Sequence, residues 1–287
     1  SAPDRIRAFY NVCPHRGRRL RDDARGTLTK FFCGYHAWTF DLDGKPTSIP
    51  DRDDWKGCPQ FADEDLSLSP VRADTWAGWV WINMDPDCEP LREFLAPLPD
   101  KFDVYEWELC RMRSWQSIVF PVNWKVALEA FVEAYHVKGT HPQLERWGHG
   151  PAPGLEDFYG PGLRHGAHTG GRHYEFNDRS EFKDARDYIY TNVENTYHQL
   201  HGLYHEEGLA AARRLRDEGP AGMTLGEARA RLAELRREEI IKSGARYPER
   251  LTPAHMIPTE VQVFPNSSIL PTVEGAFWYR SRPNGDD

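Results

Sequence analysis

Two short segments near the start of the chain each hold one cysteine and one histidine. The first is Cys13-Pro14-His15, and the second, Cys33-Gly34-Tyr35-His36, begins after seventeen residues that follow His15. Zinc accepts two Cys and two His, but zinc-finger spacing usually places the cysteines in one pair and the histidines in another. One Cys and one His from each segment instead suit a [2Fe–2S] cluster, in which two His replace two Cys on one iron.

A second group of metal-ligand residues follows about a hundred residues later. The segment Trp124–Tyr135 lacks Gly and Pro and is rich in helix-forming residues, so it predicts a helix. Glu129, Glu133 and His136 are four and three residues apart and share one face of that helix. His141 follows where a Gly and a Pro indicate the helix end, so it can turn back toward His136. Two imidazoles beside carboxylates suit a two-His-one-carboxylate Fe(II) site, although alone such a pair is more often structural.

Together with the flanking segments Ala8–Val12 and Tyr35–Asp41, these motifs closely resemble Rieske non-haem iron oxygenases of the ring-hydroxylating type. The similarity runs from Arg7 to about Pro283. It implies a Rieske [2Fe–2S] cluster and a mononuclear non-haem Fe(II). The implied cluster ligands are Cys13, His15, Cys33 and His36, and the implied iron ligands are His136 and His141. The implied catalytic residue is Glu133, which would bridge the cluster of one subunit to the iron of its neighbour. Ala130 departs from the Asn that many members carry there.

The fold implied by the resemblance is α+β. Residues 1–95 are predicted to form a small all-β Rieske domain whose N-terminal strands are missing. Residues 96–287 are predicted to form a catalytic domain, with a curved antiparallel sheet wrapped on helices. Its C-terminal part is expected to be missing, because the family's third iron ligand is an Asp that should lie beyond residue 287. Respiratory Rieske proteins add a disulfide between the two loops, and the equivalent positions here are Arg18 and Tyr35.

Local patterns add five structural predictions. The first three are a strand carrying Trp76, Trp79 and Trp81, a linker over Pro86–Pro99 and a loop over 148–173. The fourth is a helical region over 206–243, with a capping box formed by Thr224 and Glu227. The fifth is that Cys58, Cys88 and Cys110 are free thiols. The histidines of the loop, and His198, His201 and His205, are interpreted as solvated or pocket-lining residues rather than metal ligands.

Composition limits the class of partner. The formal charge of −8 and the lack of a dominant basic stripe argue against nucleic acid. No apolar stretch is long enough to span a bilayer and no signal peptide is present, so we expect a cytoplasmic protein.

The resemblance implies the terminal oxygenase component of a multicomponent system. It would use O₂ and electrons from NAD(P)H to hydroxylate a small aromatic or apolar substrate, as in aromatic hydrocarbon catabolism. The electrons would be relayed by a ferredoxin, a flavin reductase or both. A homotrimer, with or without a small β subunit, is expected. The alternatives are a Rieske electron carrier without oxygen chemistry and a zinc-bound structural domain.

Overall fold

The computed structural model describes residues 6–55, 57–58, 61–130, 136–140, 168–170, 182–199, 202–252, 255 and 261–284. The chain divides into two compact units, Ser1–Leu91 and Arg92–Asp287. This division lies close to the predicted domain boundary after residue 95, which stays a prediction. Within the described residues, no helix has both the length and the apolar character needed to cross a bilayer.

The first unit is built from short antiparallel strands. They are β1 (Ala8–Phe9), β2 (Phe31–Phe32), β3 (Thr39–Phe40), β4 (Pro46–Ser48), β5 (Pro70–Trp76) and β6 (Trp79–Asn83). Among the described residues they form one sheet in the order β1-β5-β6 and another in the order β2-β3-β4. The core of this unit contains Trp38, Phe40 and Leu68 packed with Cys13 and Cys33, so the two cysteines of the motifs belong to one buried cluster.

Trp76, Trp79 and Trp81 do not all lie on one strand as predicted, although Trp79 and Trp81 share β6. Trp76 ends β5, Trp79 begins β6, and the two residues pair across the ladder. Ala77 and Gly78 both have positive φ, 55° and 79°, as a tight two-residue hairpin loop requires. The Ala77-Gly78 pair is the sequence signal for this turn, whereas the spacing of the three tryptophans favours one continuous strand.

The predicted linker Pro86–Pro99 contains ordered helical turns. Helix α1 is Leu91–Phe94 and helix α2 is Leu98–Phe102. Leu95 and Leu98 are fully buried. The interpretation of this stretch as a simple linker is therefore wrong for its second half. Its leucines are buried core residues, although the prolines around them are typical of a linker.

The second unit combines helices with a sheet. Its remaining elements are α3 (Trp124–Glu129), α4 (Val137–Thr140), β7 (His168–Gly170), α5 (Ala185–Gln199), α6 (Glu206–Glu218), α7 (Leu225–Lys242), β8 (Val261–Val263), β9 (Ser267–Thr272) and β10 (Gly275–Arg280). The described strands pair antiparallel in the order β10-β9-β8-β7. The predicted α+β class is thus confirmed. Strand β7 falls inside the predicted loop 148–173, most of which lies outside the described residues.

Helices α5, α6 and α7 pack on one another around an apolar cluster that includes Tyr188, Leu215 and Leu232. The capping box at the start of α7 is confirmed: the side chain of Thr224 accepts a hydrogen bond from the N–H of Glu227, whose carboxylate accepts one from the N–H of Thr224. The predicted helical region 206–243 is interrupted after Glu218. A Gly-Pro pair follows there, and Pro cannot continue a helix.

A buried ion pair joins this helical layer to the sheet. Arg236 of α7 and Glu274, in the turn between β9 and β10, have side chains that are each 2% exposed, and their Nε and Oε1 atoms lie 3.7 Å apart. The guanidinium of Arg236 covers the ring of Tyr204 at 4.4 Å. Glu274 also accepts a hydrogen bond from the N–H of His205, the residue that precedes α6. Burial raises the pKa of Glu274, while Arg236 and this hydrogen bond oppose the rise.

Candidate metal centres

Two loops with the same hydrogen-bond pattern present the Cys and His residues of the first unit. The N–H of Cys13 donates to the carbonyl of Arg18 at 2.8 Å, and the N–H of Gly17 donates back to the carbonyl of Cys13 at 3.0 Å. The second loop repeats this exchange between Cys33, Trp38 and Ala37, at 2.8 and 3.1 Å. Both loops therefore close five residues after the cysteine, although their intervening sequences differ.

The fifth residue of each loop adopts the left-handed conformation that closes it. Gly17 has a φ of 69° and Ala37 a φ of 58°. Glycine accepts this conformation without a steric penalty, whereas alanine does so at a cost of about 1 kcal/mol. The structure retains that strain at Ala37, so the shape of the second loop is enforced by its neighbours.

The loops bring the predicted cluster ligands together. Cys13 and Cys33 are each 2% exposed and both are free thiols. The rings of His15 and His36 lie 4.6 Å apart between centroids, with His15 half-buried and His36 exposed. The sulfurs thus face the interior of the unit while the imidazoles lie toward its surface.

Aromatic side chains from the second loop hold both imidazoles. The indole of Trp38, which is 3% exposed, stacks on His15 with an interplanar angle of 1° and a centroid distance of 4.9 Å. Tyr35, which is largely exposed, covers His36 at 3.8 Å. Sequence reasoning missed these positioning roles, because a flanking Trp or Tyr carries no spacing signal of its own.

The chemistry of these four side chains fits a [2Fe–2S] cluster. Nδ1 of His15 is buried and has no hydrogen-bond partner among the described residues, so this nitrogen is available as a ligand. Burial, followed by the charges of His36 and Arg16, lowers the pKa of His15 and favours the neutral ring that a metal requires. Burial, together with Cys33, raises the pKa of the Cys13 thiol. A bound metal reverses this second effect, because it binds the thiolate form.

Asn11 ties the chain that follows the first loop back to the base of that loop. Its side-chain amide donates to the carbonyl of Arg21 at 2.6 Å. Its side-chain oxygen accepts from the N–H groups of Leu20 and Arg21 at 3.2 and 2.9 Å. The segment after His15 is therefore held next to Cys13.

The predicted iron helix is present in its first part. Asn123 caps α3 by accepting the N–H of Lys125 at 2.9 Å. Near the end of the helix, Gln262 of β8 donates to the carbonyl of Leu128 at 2.6 Å. Glu129 is the last residue of α3 and is exposed. This polar contact with the sheet fixes the end from which the chain continues toward the predicted ligands.

The remaining iron-site predictions are only partly within the described residues. His136 directly precedes α4 and is half-buried, and its carbonyl accepts hydrogen bonds from the N–H groups of Gly139 and Thr140 in that helix. Glu133 and His141 lie outside the described residues. In the part of the chain that the structure describes, no three His, Cys, Asp or Glu side chains are grouped as a metal site. The roles of His136, His141 and Glu133 stay predictions.

Both units match known protein families. Residues 2–62 match the Rieske [2Fe-2S] domain, and residues 107–287 match the catalytic domain of the ring-hydroxylating alpha subunit. The second match covers more than half of the chain. Together the two matches confirm the resemblance and the two cofactors that it implied, a Rieske cluster and a mononuclear non-haem iron.

Individual relatives match about half of the chain. The glycine betaine monooxygenase oxygenase subunit of Pseudomonas aeruginosa is 33% identical over 146 residues, which are 50% of this chain and 32% of that protein. The carnitine monooxygenase oxygenase subunit of Escherichia coli K12 is 33% identical over 155 residues, 50% of this chain and 40% of that protein. Biphenyl 2,3-dioxygenase subunit alpha of Rhodococcus jostii is 31% identical over 143 residues, which are 48% of this chain and 31% of that protein.

Among solved structures, a quaternary ammonium Rieske monooxygenase in complex with L-carnitine is 32% identical. That alignment covers 49% of this chain and 40% of the other, with a TM-score of 0.43. The matched region spans about a third to two fifths of the length of these proteins.

Proposed function

We propose, because the chain belongs to the ring-hydroxylating alpha-subunit family and carries a Rieske domain ahead of the catalytic domain, that it acts as a terminal oxygenase. In this role it takes electrons that originate from NAD(P)H and pass through a ferredoxin or flavin reductase. It uses them with O₂ to hydroxylate a small organic molecule. The observation that carries the proposal is the convergence, on matched loops, of two buried cysteines and two histidines that each lie against an aromatic ring. The catalytic-domain match disfavours a Rieske carrier without oxygen chemistry.

Each cluster residue has a distinct task in this proposal. Cys13 and Cys33 supply sulfur from the interior, where burial keeps water from the inner side of the site. His15 and His36 supply nitrogen at the surface side, where electrons can enter and leave. Trp38 fixes the plane of the His15 ring, and the exposed Tyr35 shields one face of His36. When bound, the cluster supplies single electrons and the mononuclear iron activates O₂.

The iron site is proposed to use His136 and His141 with a carboxylate from elsewhere in the protein. Glu133 is proposed to couple the iron to the cluster of a neighbouring subunit in a homotrimer. A carboxylate between two imidazoles would orient both rings by charge-assisted hydrogen bonds, as outer partners of metal ligands commonly do. The anchor from Gln262 to Leu128 supports a fixed position for the helix that leads to these residues.

The substrate class has two candidates. The family resemblance implies an aromatic or apolar substrate, and biphenyl dioxygenase is among the relatives. Glycine betaine and carnitine monooxygenases, at 33% identity, favour a quaternary ammonium compound as the second candidate. Glycine betaine, carnitine and biphenyl should therefore be compared directly, by substrate loss and O₂ uptake in the presence of a reductase.

The cluster assignment is tested by the Cys33→Ser variant, with Cys110→Ser as its control because Cys110 is an exposed free thiol. The wild type and Cys110→Ser should be red-brown and contain acid-labile sulfide. Cys33→Ser should lose the cluster, because a hydroxyl is a poor soft-metal ligand. A colourless wild-type protein with stoichiometric zinc would overturn the assignment.

The iron assignment is tested by His136→Ala and His141→Ala, with His198→Ala as a control at an exposed position of α5. Both test variants should lose substrate oxidation and mononuclear iron while keeping the visible spectrum of the cluster. The control should keep all three. Retained oxidation in both test variants would show that these histidines are structural.

A further inference from the structure

The segment between the two cluster loops is strongly basic. From Arg16 to Lys30 it carries six basic and two acidic side chains, a formal charge of +4 in a chain whose total is −8. The rest of Ser1–Leu91 carries six basic and thirteen acidic side chains. The first unit is therefore electrically polarised, with its positive charge concentrated in the segment that joins the predicted cluster ligands.

These basic side chains are available at the surface. All six are exposed, and they are Arg16, Arg18, Arg19, Arg21, Arg25 and Lys30. Arg19 and Arg21 form ion pairs with Asp22 and Asp23. Among the described residues, no acidic side chain forms an ion pair with any of the other four. We call these four residues, Arg16, Arg18, Arg25 and Lys30, the basic patch.

The structure holds both ends of the basic patch at the cluster loops. The carbonyl of Arg18 accepts the N–H of Cys13, so the patch begins within the first loop. Asn11 makes three hydrogen bonds to Leu20 and Arg21, which keep the following residues beside that loop. Lys30 directly precedes β2, and Cys33 follows that strand. The positive charge thus begins within the first cluster loop and ends at the strand that leads into the second.

We propose that the basic patch is the docking surface for an acidic electron-transfer protein that reduces the Rieske cluster. This inference rests on the proposed function. In each encounter one electron leaves the donor, which is oxidised by one unit, and enters the oxidised [2Fe–2S] cluster, which is reduced by one unit. Opposite charges on two surfaces accelerate diffusional encounter and orient it, and salt weakens the effect.

The test measures the cluster itself rather than substrate oxidation. A reduced plant-type ferredoxin of acidic surface serves as the donor, because its potential lies below that of Rieske centres. Anaerobic stopped-flow absorbance then gives the second-order rate of cluster reduction. The test variant is Arg18→Gln/Arg25→Gln/Lys30→Gln. The matched control, Lys45→Gln/Arg213→Gln/Arg237→Gln, removes the same charge at exposed residues that do not belong to the patch.

We expect the test variant to be reduced about tenfold more slowly than wild type at about 0.01 M ionic strength, where charges act over about 30 Å. At about 1 M salt the difference should shrink to about twofold or less, since screening then acts within about 3 Å. The control should stay within about twofold of wild type throughout. Reduction by the methyl viologen radical, a small cation, should not be slowed in either variant.

Several results would overturn the inference. Equal ferredoxin rates in the test variant and wild type would do so, as would a wild-type rate that does not fall with salt. Equal slowing of the viologen reaction would place the effect in the cluster rather than in docking. A changed oligomeric state in sedimentation with an unchanged rate would make the patch a contact between copies of this chain. A wild-type protein without a cluster would instead refute the proposed function.

Discussion

Replacing Gly208 with alanine tests the junction between the helices and the sheet of the second unit. Gly208 lies in the first turn of α6 and is buried. A Cβ added there would lie 2.9 Å from the carboxylate carbon of Glu274 and 3.0 Å from Oε2, with Oε1 closer still. That carboxylate is not free to move, because it accepts the N–H of His205 and lies against the guanidinium of Arg236. The glycine therefore provides the space that the buried carboxylate occupies.

The size of the effect follows from two opposed contributions. Alanine stabilises a helix relative to glycine by about 0.5 to 1 kcal/mol. Displacing Glu274 breaks a buried ion pair, which costs about 3 to 5 kcal/mol because Arg236 is left without its carboxylate in the interior. We therefore expect Gly208→Ala to lower the free energy of unfolding by about 2 to 4 kcal/mol. For a unit of this size that corresponds to a fall in Tm of about 4 to 16 °C.

The matched control is Gly226→Ala in the first turn of α7. A Cβ at Gly226 meets no atom within 4 Å. The same chemical change should therefore stabilise the protein there, by up to about 1 kcal/mol. Urea unfolding followed by far-UV circular dichroism measures both variants. Opposite signs at the two glycines are expected, although both are Gly→Ala changes in helices.

A double-mutant cycle identifies Glu274 as the cause. In a Glu274→Ala background the carboxylate is gone, so Gly208→Ala should no longer be destabilising. The expected coupling energy is about 2 kcal/mol or more, which is typical of directly contacting residues. If Gly208→Ala is as stable as wild type, or if its cost is the same with and without Glu274, the reasoning is refuted.

Three further changes give distinct outcomes. Gln262→Leu removes the hydrogen bond to the Leu128 carbonyl, so iron analysis should show reduced mononuclear iron with an unchanged cluster spectrum; full iron occupancy would contradict the anchoring role. Ala37→Gly relieves a left-handed residue by about 1 kcal/mol, so visible absorbance should persist to higher urea concentrations than in wild type, whereas earlier bleaching would contradict the strain. The Arg186 guanidinium lowers the pKa of Asp184, so this carboxylate stabilises the fold above its unfolded-state pKa of about 4 and loses the effect as pH falls through the folded-state value. Asp184→Asn should therefore lower the urea midpoint at pH 7, and this loss should become smaller as the pH falls below about 4; a loss that does not change with pH would contradict the linkage.

Sequence reasoning succeeded where the determinants are local. The spacing of the Cys and His residues predicted which side chains of the first unit come together, because the hydrogen bonds of each loop close within five residues. The capping box was predictable for the same reason, since Thr224 and Glu227 are three residues apart. The turn at Ala77-Gly78 is equally local, but the spacing of the three tryptophans predicts one strand there, and an Ala-Gly pair is a weak signal for the hairpin that the structure shows.

Sequence reasoning did not find contacts between distant residues. Glu274 is 69 residues from His205, and Gln262 is 134 residues from Leu128. Neither Glu274 nor Gln262 belongs to a motif, and a lone carboxylate or amide in a turn or on a strand is usually exposed. In these two hydrogen bonds the partners are a backbone N–H and a backbone carbonyl, which carry no side-chain signal. Only the packing of helix against sheet reveals them.

The two predicted metal centres differ in how far apart in the sequence the residues that support them lie. The cluster loops are closed by their own backbone and by adjacent rings, so their shape depends on residues within about ten positions of each cysteine. The helix leading to the predicted iron ligands is instead anchored to β8, and that strand is positioned by pairing with β7 and β9. Disturbing the sheet therefore reaches the predicted iron site through a hydrogen bond that the cluster does not share. The end of α3, from which the chain continues toward the predicted iron ligands, therefore depends on a residue 134 positions away that no local motif signals.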